Sequence, residues 1–275
     1  MNRLRAMFLA PAALLALATL VAPLLIVFAY AFLTRGGYGG VELPVTIENL
    51  VRLWDPLYGA ILLRSIWIAG VSTGLCLLLG FPLALFIARS GSRRNLYLSL
   101  VVLPFWTSFL IRTYAWMFLL RDTGLINTAL QAAGIIHEPL PLLYNNGAVI
   151  LGLVYGYLPF MVLPLYSALE KLDGTLLEAA ADLGSRPFST LMRVTVPLCA
   201  PGIRAGVVLV FVPCLGTYLT SDLLGGSKTV LIGNLVQNQF TAARDWPFGA
   251  AASLALMAFA IVLLFAMRKK GEEML

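Results

Sequence analysis

Residues 170–197, EKLDGTLLEAAADLGSRPFSTLMRVTVP, form a polar stretch in a very apolar chain, and this stretch decides the fold. Its first half, residues 176–183, consists of good helix formers, and we expect Glu178 in the first helical turn, where the helix dipole favours an anion. Gly184 is the residue type that most easily adopts the left-handed conformation just past a helix end. The pattern therefore predicts a short helix that stops at Gly184.

The second half of the stretch predicts another short helix. Pro187 suits its first turn, and the helix carries Phe188 and Leu191, with Arg186 and Arg193 on either side of this apolar pair. Two short helices that meet at a glycine, with an apolar tip and a charged rim, suit docking into a groove of another protein, where a few buried anchors dominate the binding energy. The alternative is an ordinary solvated hairpin between two longer helices.

The composition around this stretch is that of a membrane protein. The chain has 275 residues, of which 60% are hydrophobic and 12% charged, so it lacks the polar surface that a water-soluble protein needs. Six apolar segments are long enough to span a bilayer, which predicts an all-α membrane protein with about six transmembrane helices. The segments are approximately 6–33, 62–88, 95–120, 145–169, 203–224 and 249–268. Pro213 and Gly216 interrupt the fifth.

The basic residues predict that both chain ends lie in the cytoplasm, because cytoplasmic loops are enriched in Lys and Arg. With this orientation, 12 of the 19 basic residues are cytoplasmic. They are Arg3, Arg5, Arg89, Arg93, Arg94, Lys171, Arg186, Arg193, Arg204, Arg268, Lys269 and Lys270. The 170–197 stretch then lies in the cytoplasm between spans four and five. We interpret the net charge of +6 as this topology signal and expect no nucleic-acid partner.

Several kinds of site are missing from the sequence. It contains no GxxxxGK[ST] phosphate-binding loop, so we expect no ATP site in this chain. Cys76, Cys199, Cys214 and His137 have no metal-ligand spacing, and we interpret the cysteines as small buried apolar residues. We find no catalytic constellation, so we expect no enzyme and no metal or other cofactor in this chain.

The 170–197 stretch resembles the signature loop of bacterial ABC-importer permeases, EAA-x3-G-x9-I-x-LP. The matching residues are Glu178, Ala179, Ala180, Gly184, Val194, Val196 and Pro197, and the two valines replace Ile and Leu with other apolar residues. The resemblance implies the type I importer permease fold, in a bacterial inner membrane. It also implies that a loop at about 170–200, including Pro187, Phe188 and Leu191, couples the chain to a separate ATPase, which holds ATP and Mg²⁺. A second homologous permease and an extracytoplasmic binding protein complete such a system.

Longer runs resemble one subfamily, the spermidine/putrescine permeases. They are LPFWTSFLIRTYAWMFLLRDTGLIN (103–127), YLPFMVLPLYSALEKLD (157–173) and DLLGGSKTVLIGNLVQNQFTAARDWPFGAA (222–251). The resemblance implies polyamine import. It divides the chain into residues 1–60, a first span with an outer loop, and residues 61–270, the permease core.

A polyamine pathway would offer carboxylates and aromatic faces to a flexible cation. Asp222 and Asp122, at the outer ends of spans five and three, and Trp106, Tyr114 and Tyr218 are the candidates. Each ring has an alternative role in the aromatic belt at the membrane surface.

One departure from the subfamily pattern leaves the class of solute open. Thr217 stands at a position where the subfamily often has an acidic residue. Another small solute, such as an amine, an opine, a phosphonate or iron, is the alternative, and a secondary transporter is the alternative from another class. Arg112, inside span three, is expected to form a structural ion pair, with an acidic residue of the partner permease as one option. Residues 244–247 are expected to cap the start of span six.

Overall fold

The computed structural model describes residues 2–272, and they are mostly helical. The first half of the chain contains α1 (Asn2–Ala31), β1 (Leu33–Arg35), β2 (Val41–Val45), α2 (Glu48–Arg52), α3 (Pro56–Ala88), α4 (Arg94–Val102), α5 (Phe109–Leu120) and α6 (Leu125–Ala132). The second half contains α7 (Asn146–Glu170), α8 (Gly174–Asp182), α9 (Pro187–Thr190), α10 (Val196–Leu198), α11 (Ala200–Gly216), α12 (Ile232–Phe240) and α13 (Trp246–Glu272). The chain forms two compact units, one of residues up to 61 with 235–262, the other of residues 62–234 with the chain from 263 onward.

Four helical segments are long and apolar enough to cross a membrane, and there are up to six spans in the described chain if each of two bent pairs is one span. The four are Leu14–Ala31, Pro56–Ala88, Asn146–Glu170 and Trp246–Phe265. The bent pairs are Gly91–Trp106 with Phe109–Ala132, at 87°, and Pro187–Leu198 with Ala200–Gly216, at 70°. The six apolar segments of the sequence correspond to these six elements.

Two of the predicted spans differ from the structure in shape. The third is not one straight helix, because Thr107 adopts an extended conformation and breaks it between Trp106 and Phe109. The helix of the fifth span ends at Gly216 rather than at residue 224, and Thr217 adopts an extended conformation there, as Thr107 does in the third span. Hydropathy alone could not locate the first break, because the residues on both sides of it are apolar, whereas Gly216 is visible in the sequence as an interruption of the fifth segment.

The second unit is built around α7 and α11, which approach each other closely at glycines. A Cβ added to Gly202 would lie 2.8 Å from the carbonyl oxygen of Pro164, and one added to Gly206 would lie 2.6 Å from Sδ of Met161. Small residues are typical of contacts between membrane helices, because they let the two backbones come together. Cys76, Cys199 and Cys214 are free and buried in this unit, in agreement with their interpretation as small apolar residues.

The first unit contains a short antiparallel hairpin that the sequence did not reveal. β1 pairs with β2, and the following helix α2 is attached to the end of α1 by one side chain. The Nδ2 of Asn49 donates to the carbonyl oxygens of Ala31, at 3.1 Å, and Leu33, at 2.8 Å. Because Asn49 is almost fully buried, these two bonds replace the hydrogen bonds to water that its side-chain amide loses on folding.

Asp245 caps the start of α13, as predicted for residues 244–247. Its Oδ1 accepts a hydrogen bond from the backbone N–H of Phe248 at 3.2 Å. Its Oδ2 lies 2.9 Å from Nη1 of Arg52, and the Arg52 guanidinium lies over the Phe248 ring. The Asp245 carboxylate thus caps the N-terminus of α13 and neutralises Arg52, although Asp245 is only 2% exposed.

We expect the Asp245→Ala variant to lose about 2 kcal/mol of stability, because it removes a helix cap and leaves Arg52 without its partner. The unfolding midpoint of the purified chain in detergent measures this loss. Arg94→Gln is the matched control, since the Arg94–Glu170 pair is exposed and such pairs contribute at most about 1 kcal/mol. Equal midpoints for the two variants would contradict the role assigned to Asp245.

Candidate functional site

The first helix of the 170–197 loop begins earlier than the sequence predicted. α8 starts at Gly174 because the side chain of Asp173 accepts a hydrogen bond from the N–H of Thr175 at 3.0 Å and caps the helix. Glu178 therefore lies in the second turn, not in the first, and our assignment of Glu178 to the helix dipole was wrong. The same hydrogen bond from Thr175 holds the pKa of Asp173 below its ordinary value, so the cap is lost as the pH falls through that lowered pKa.

Gly184 has a φ of +77°, so the left-handed conformation predicted from the sequence is confirmed. The N–H of Gly184 donates to the carbonyl oxygen of Ala181 at 2.8 Å, and the N–H of Ser185 donates to that of Ala180 at 3.0 Å. This pair of bonds is the Schellman arrangement, which satisfies the last carbonyls of a helix and turns the chain sharply.

The second helix of the loop starts at Pro187, as predicted. α9 is followed directly by a wider π-helical turn at 191–195 and then by α10, which contains Pro197. The hydroxyl of Thr190 donates to the hydroxyl oxygen of Ser185 at 3.0 Å, which ties the second helix to the turn. Hydrogen bonds therefore connect the turn at Gly184 both to α8 before it and to α9 after it.

Two large apolar residues of the loop are much more exposed than Leu176 and Met192, which are 46% and 48% exposed. The first is Phe188, which is 71% exposed. Phe188 and the half-buried Leu191 both line a cleft of about 450 Å³ beneath the loop, together with Leu85 and Leu177. Leu183, which the sequence analysis did not single out, is 89% exposed. The exposed tip of the loop thus consists of Leu183 and Phe188, on either side of the Gly184 turn.

The remaining residues of the signature lie on the loop without forming part of this tip. Glu178 and Ala179 are exposed on α8, and Ala180 is half-buried. Pro197 is exposed on α10. The available signal for Leu183 was its place directly before Gly184, at the turn that joins the two short helices.

A second candidate site lies where α11 ends. The extended conformation of Thr217 opens a cleft of about 420 Å³ in the second unit. Aromatic side chains form much of its lining, since Phe109, Tyr157 and Tyr218 all border it. Of the residues predicted to line a pathway, the structure places Tyr218 in this cleft.

Asp222 lies one helical turn after Tyr218, and Asn234 orients both residues. The Nδ2 of Asn234 donates to Oδ1 of Asp222 at 3.2 Å and to the carbonyl oxygen of Tyr218 at 3.1 Å. The Oγ of Ser221 donates to Oδ1 of Asn234. The Asp222 carboxylate remains exposed, so it is held in place and still open to a ligand. The sequence analysis missed Asn234, because its partners lie 12 to 16 residues away along the chain.

The structure does not bring the other predicted pathway residues into the cleft. Trp106, 83% exposed, ends the helical turn before the bend at Thr107, and Tyr114 is 40% exposed on α5. Asp122 is exposed after α5. None of these three residues is among those that line the cleft at Thr217, and neither is Asp222, which lies one helical turn after the lining residue Tyr218.

Arg112 has an aromatic partner within the described chain rather than an acidic one. Its guanidinium carbon lies 4.2 Å from the centroid of the Phe105 ring and 5.7 Å from that of Phe109. Its Nε and Nη1 are buried, and among the described residues they have no hydrogen-bond partner. The expected ion pair is therefore not made inside the described chain, and cation–π contacts offset part of the desolvation of this charge.

Comparison with known proteins matches residues 80–269 to the family "Binding-protein-dependent transport system inner membrane component". The spermidine/putrescine transport system permease protein PotB of Haemophilus influenzae is 47% identical over 244 residues, which cover 88% of this chain and 85% of that protein. PotB of Escherichia coli is 47% identical over 235 residues, covering 85% and 86%.

A solved structure has the same fold. It is that of a bacterial alginate ABC transporter in complex with an alginate pentasaccharide-bound periplasmic protein, with a TM-score of 0.73 and 21% identity over 97% of this chain and 93% of that one. The four to six candidate spans, the helix–glycine–helix loop and the family match over most of the sequence agree with one another. This chain belongs to the family of inner membrane components of binding-protein-dependent transport systems, and it has the fold of the ABC importer permeases.

Proposed function

We propose that this chain is the permease subunit of an ATP-driven importer of polyamines such as spermidine and putrescine. The exposed tip of Leu183 and Phe188 on a hydrogen-bonded turn is the observation that carries the proposal, because it supplies a docking element for an ATPase subunit. ATP and Mg²⁺ bind to that partner. A second, homologous permease and an extracytoplasmic binding protein complete the importer.

The build of the 170–197 loop suits it to transmit force. Its two helices are joined by the Schellman bonds at Gly184 and by the Thr190–Ser185 hydrogen bond, so the loop resists deformation when a partner pushes on it. Two large apolar side chains beside a tight turn can enter a groove and supply most of the binding energy. We place this coupling loop at about 170–200, within a permease core of residues 61–270.

The cleft at Thr217 supports a cationic solute. Tyr218, Tyr157 and Phe109 line it and offer π faces, which attract ammonium groups. Asp222, outside this lining, offers an exposed carboxylate held by Asn234 one helical turn after Tyr218. A carboxylate and a tyrosine ring at this spacing match a chain of amines better than they match an anion. The relatives that are 47% identical carry spermidine and putrescine in their names, which agrees with this chemistry.

We expect Asp222→Asn to raise the half-saturation concentration for spermidine uptake about tenfold, since it removes one ion pair with the cation while keeping the hydrogen bond to Asn234 possible. Uptake of labelled spermidine by membrane vesicles that contain the complete importer measures this change.

Asp122→Asn is the matched control, because Asp122 is an exposed carboxylate after α5 that is not held beside Tyr218 by Asn234. The half-saturation concentration of this variant should stay within about twofold of the wild-type value. Equal kinetics for the Asp222 variant and the wild type would remove Asp222 from the pathway. Absence of spermidine uptake, together with uptake of a labelled phosphonate or opine by the same vesicles, would assign the importer to another small solute.

A further inference from the structure

A basic cleft of about 550 Å³ lies in the second unit, beside the end of α3. Its walls are apolar, and its open side carries two guanidinium groups. The walls consist of Pro82, Leu85, Phe86 and Tyr97, and the cations are Arg89 and Arg93. The rings of Phe86 and Tyr97 lie 5.1 Å apart, so one wall is an aromatic pair. Apolar and cationic surfaces therefore meet within one cavity.

A turn in the backbone brings both arginines to this cleft. Ser90 donates from its hydroxyl to the carbonyl oxygen of Phe86 at 2.6 Å, which holds the end of α3 closed. Gly91 has a φ of +55° and reverses the chain, so that Arg93, four residues after Arg89, faces the same cavity.

Neither arginine has an acidic partner among the described residues. The nearest basic residue in sequence, Arg94, is neutralised by Glu170, with Nη1 and Oε1 2.7 Å apart. The cleft therefore holds the uncompensated charge of two guanidinium groups, and each guanidinium offers a planar fork of donors suited to bidentate hydrogen bonds with phosphate oxygens.

The position of the cleft selects the kind of anion. α3 is a candidate membrane span that ends at Ala88, and the basic loop after it is cytoplasmic in the orientation that the charges predict. The predicted orientation therefore places Arg89 and Arg93, just after the end of this span, on the side of the inner-leaflet headgroups. Phe86, one turn deeper, is 56% exposed and continues the apolar surface of the span.

We propose that this cleft binds an anionic phospholipid of the inner leaflet. The phosphodiester group lies between Arg89 and Arg93, and an acyl chain follows the wall of Pro82 and Phe86. Basic pockets at the cytoplasmic ends of membrane helices are suited to such headgroups. An acidic surface of the ATPase would satisfy the arginines but not the apolar wall, so the wall favours the lipid.

The bound lipid would adjoin the 170–197 loop. Arg89 also borders the cleft beneath that loop, which Phe188 and Leu191 line from the other side. A headgroup that binds Arg89 therefore acts on a residue at the base of the 170–197 loop. The lipid composition of the membrane could affect this loop through Arg89.

Native mass spectrometry of the purified full-length chain tests the proposal, with phosphatidylglycerol and phosphatidylethanolamine of identical acyl chains as the probes. We expect phosphatidylglycerol to be retained roughly tenfold better or more, since each cation adds attraction for an anionic lipid. The double variant Arg89→Gln/Arg93→Gln should reduce this preference to within about twofold.

Two controls separate charge from structure. The Arg89→Lys/Arg93→Lys variant keeps the charge but loses the bidentate donors, so its preference should lie between those of the wild type and the glutamine variant. Lys171→Gln removes a cytoplasmic charge outside the cleft and should change nothing. Displacement of the lipid by millimolar glycerol 3-phosphate would show that the site recognises a free phosphate, not a lipid.

An unchanged lipid preference in the glutamine double variant would overturn the proposal. If that variant kept its lipid preference and lost association with the ATPase, the cleft would belong to the ATPase interface. Because lipid retention is measured without transport, its outcome is independent of the proposed import function.

Discussion

Replacement of Gly184 by valine is expected to reduce uptake at least tenfold while the chain still inserts into the membrane. The φ of +77° at this residue costs an L-amino acid about 1–2 kcal/mol, and more for a β-branched one. A Cβ at Gly184 would meet no atom within 4 Å, so the strain arises from the backbone alone. The turn would open, and Leu183 and Phe188 would no longer point into one groove. Uptake and ATP hydrolysis by the assembled importer, measured together, would show hydrolysis without transport.

Two control variants separate the turn from the presence of a side chain. Asn tolerates the left-handed conformation, so Gly184→Asn should retain most of the uptake. Gly174, the first residue of α8, has open space around it and no positive φ, so Gly174→Ala should be close to wild type. Normal uptake by the Gly184→Val variant would refute the role of this turn.

Truncation of the exposed tip should have the second large effect, on association with the ATPase. Leu183 and Phe188 are 89% and 71% exposed, and we propose that both become buried in the groove of the ATPase. A buried anchor contributes about 2 kcal/mol or more to such an interface, which corresponds to roughly a 30-fold weaker complex for each alanine variant. Binding of the purified ATPase to the importer in nanodiscs measures this affinity.

Leu176→Ala is the matched control for the tip. Leu176 is also on α8 and 46% exposed, but it lies about two turns before Gly184. Its removal should leave the affinity within about twofold of wild type. An equal loss for Leu176 and Leu183 would show that the ATPase contacts the whole helix and that the tip has no special role.

Features fixed by local chemistry could be predicted from the sequence. Gly184 adopts a left-handed turn because no other residue does so as easily, and Pro187 begins a helix because its missing N–H costs nothing there. The apolar segments indicate spans because lipid demands about 20 apolar residues. The start of α8 at Gly174 was missed, although the capping residue Asp173 is a local signal, because Gly174 and Thr175 are poor helix formers.

Features that depend on distant contacts could not be predicted. Asn234 orients Asp222 only because the chain folds back after Gly226, and nothing near either residue in sequence indicates this. Asn49 looks like a loop residue until its bonds to Ala31 and Leu33 are seen. Asp122, Trp106 and Tyr114 were chosen as pathway candidates by residue type, and residue type does not determine which side chains reach the cleft.

The most direct test of the account is uptake of radiolabelled spermidine and putrescine by cells that express this chain with its partner permease, ATPase and binding protein, and that lack other polyamine importers. The account predicts ATP-dependent accumulation, and it predicts that Leu183→Ala/Phe188→Ala in the 170–197 loop lowers this accumulation while the chain remains in the membrane. An assembled complex that hydrolyses ATP but accumulates neither polyamine would contradict the proposed function.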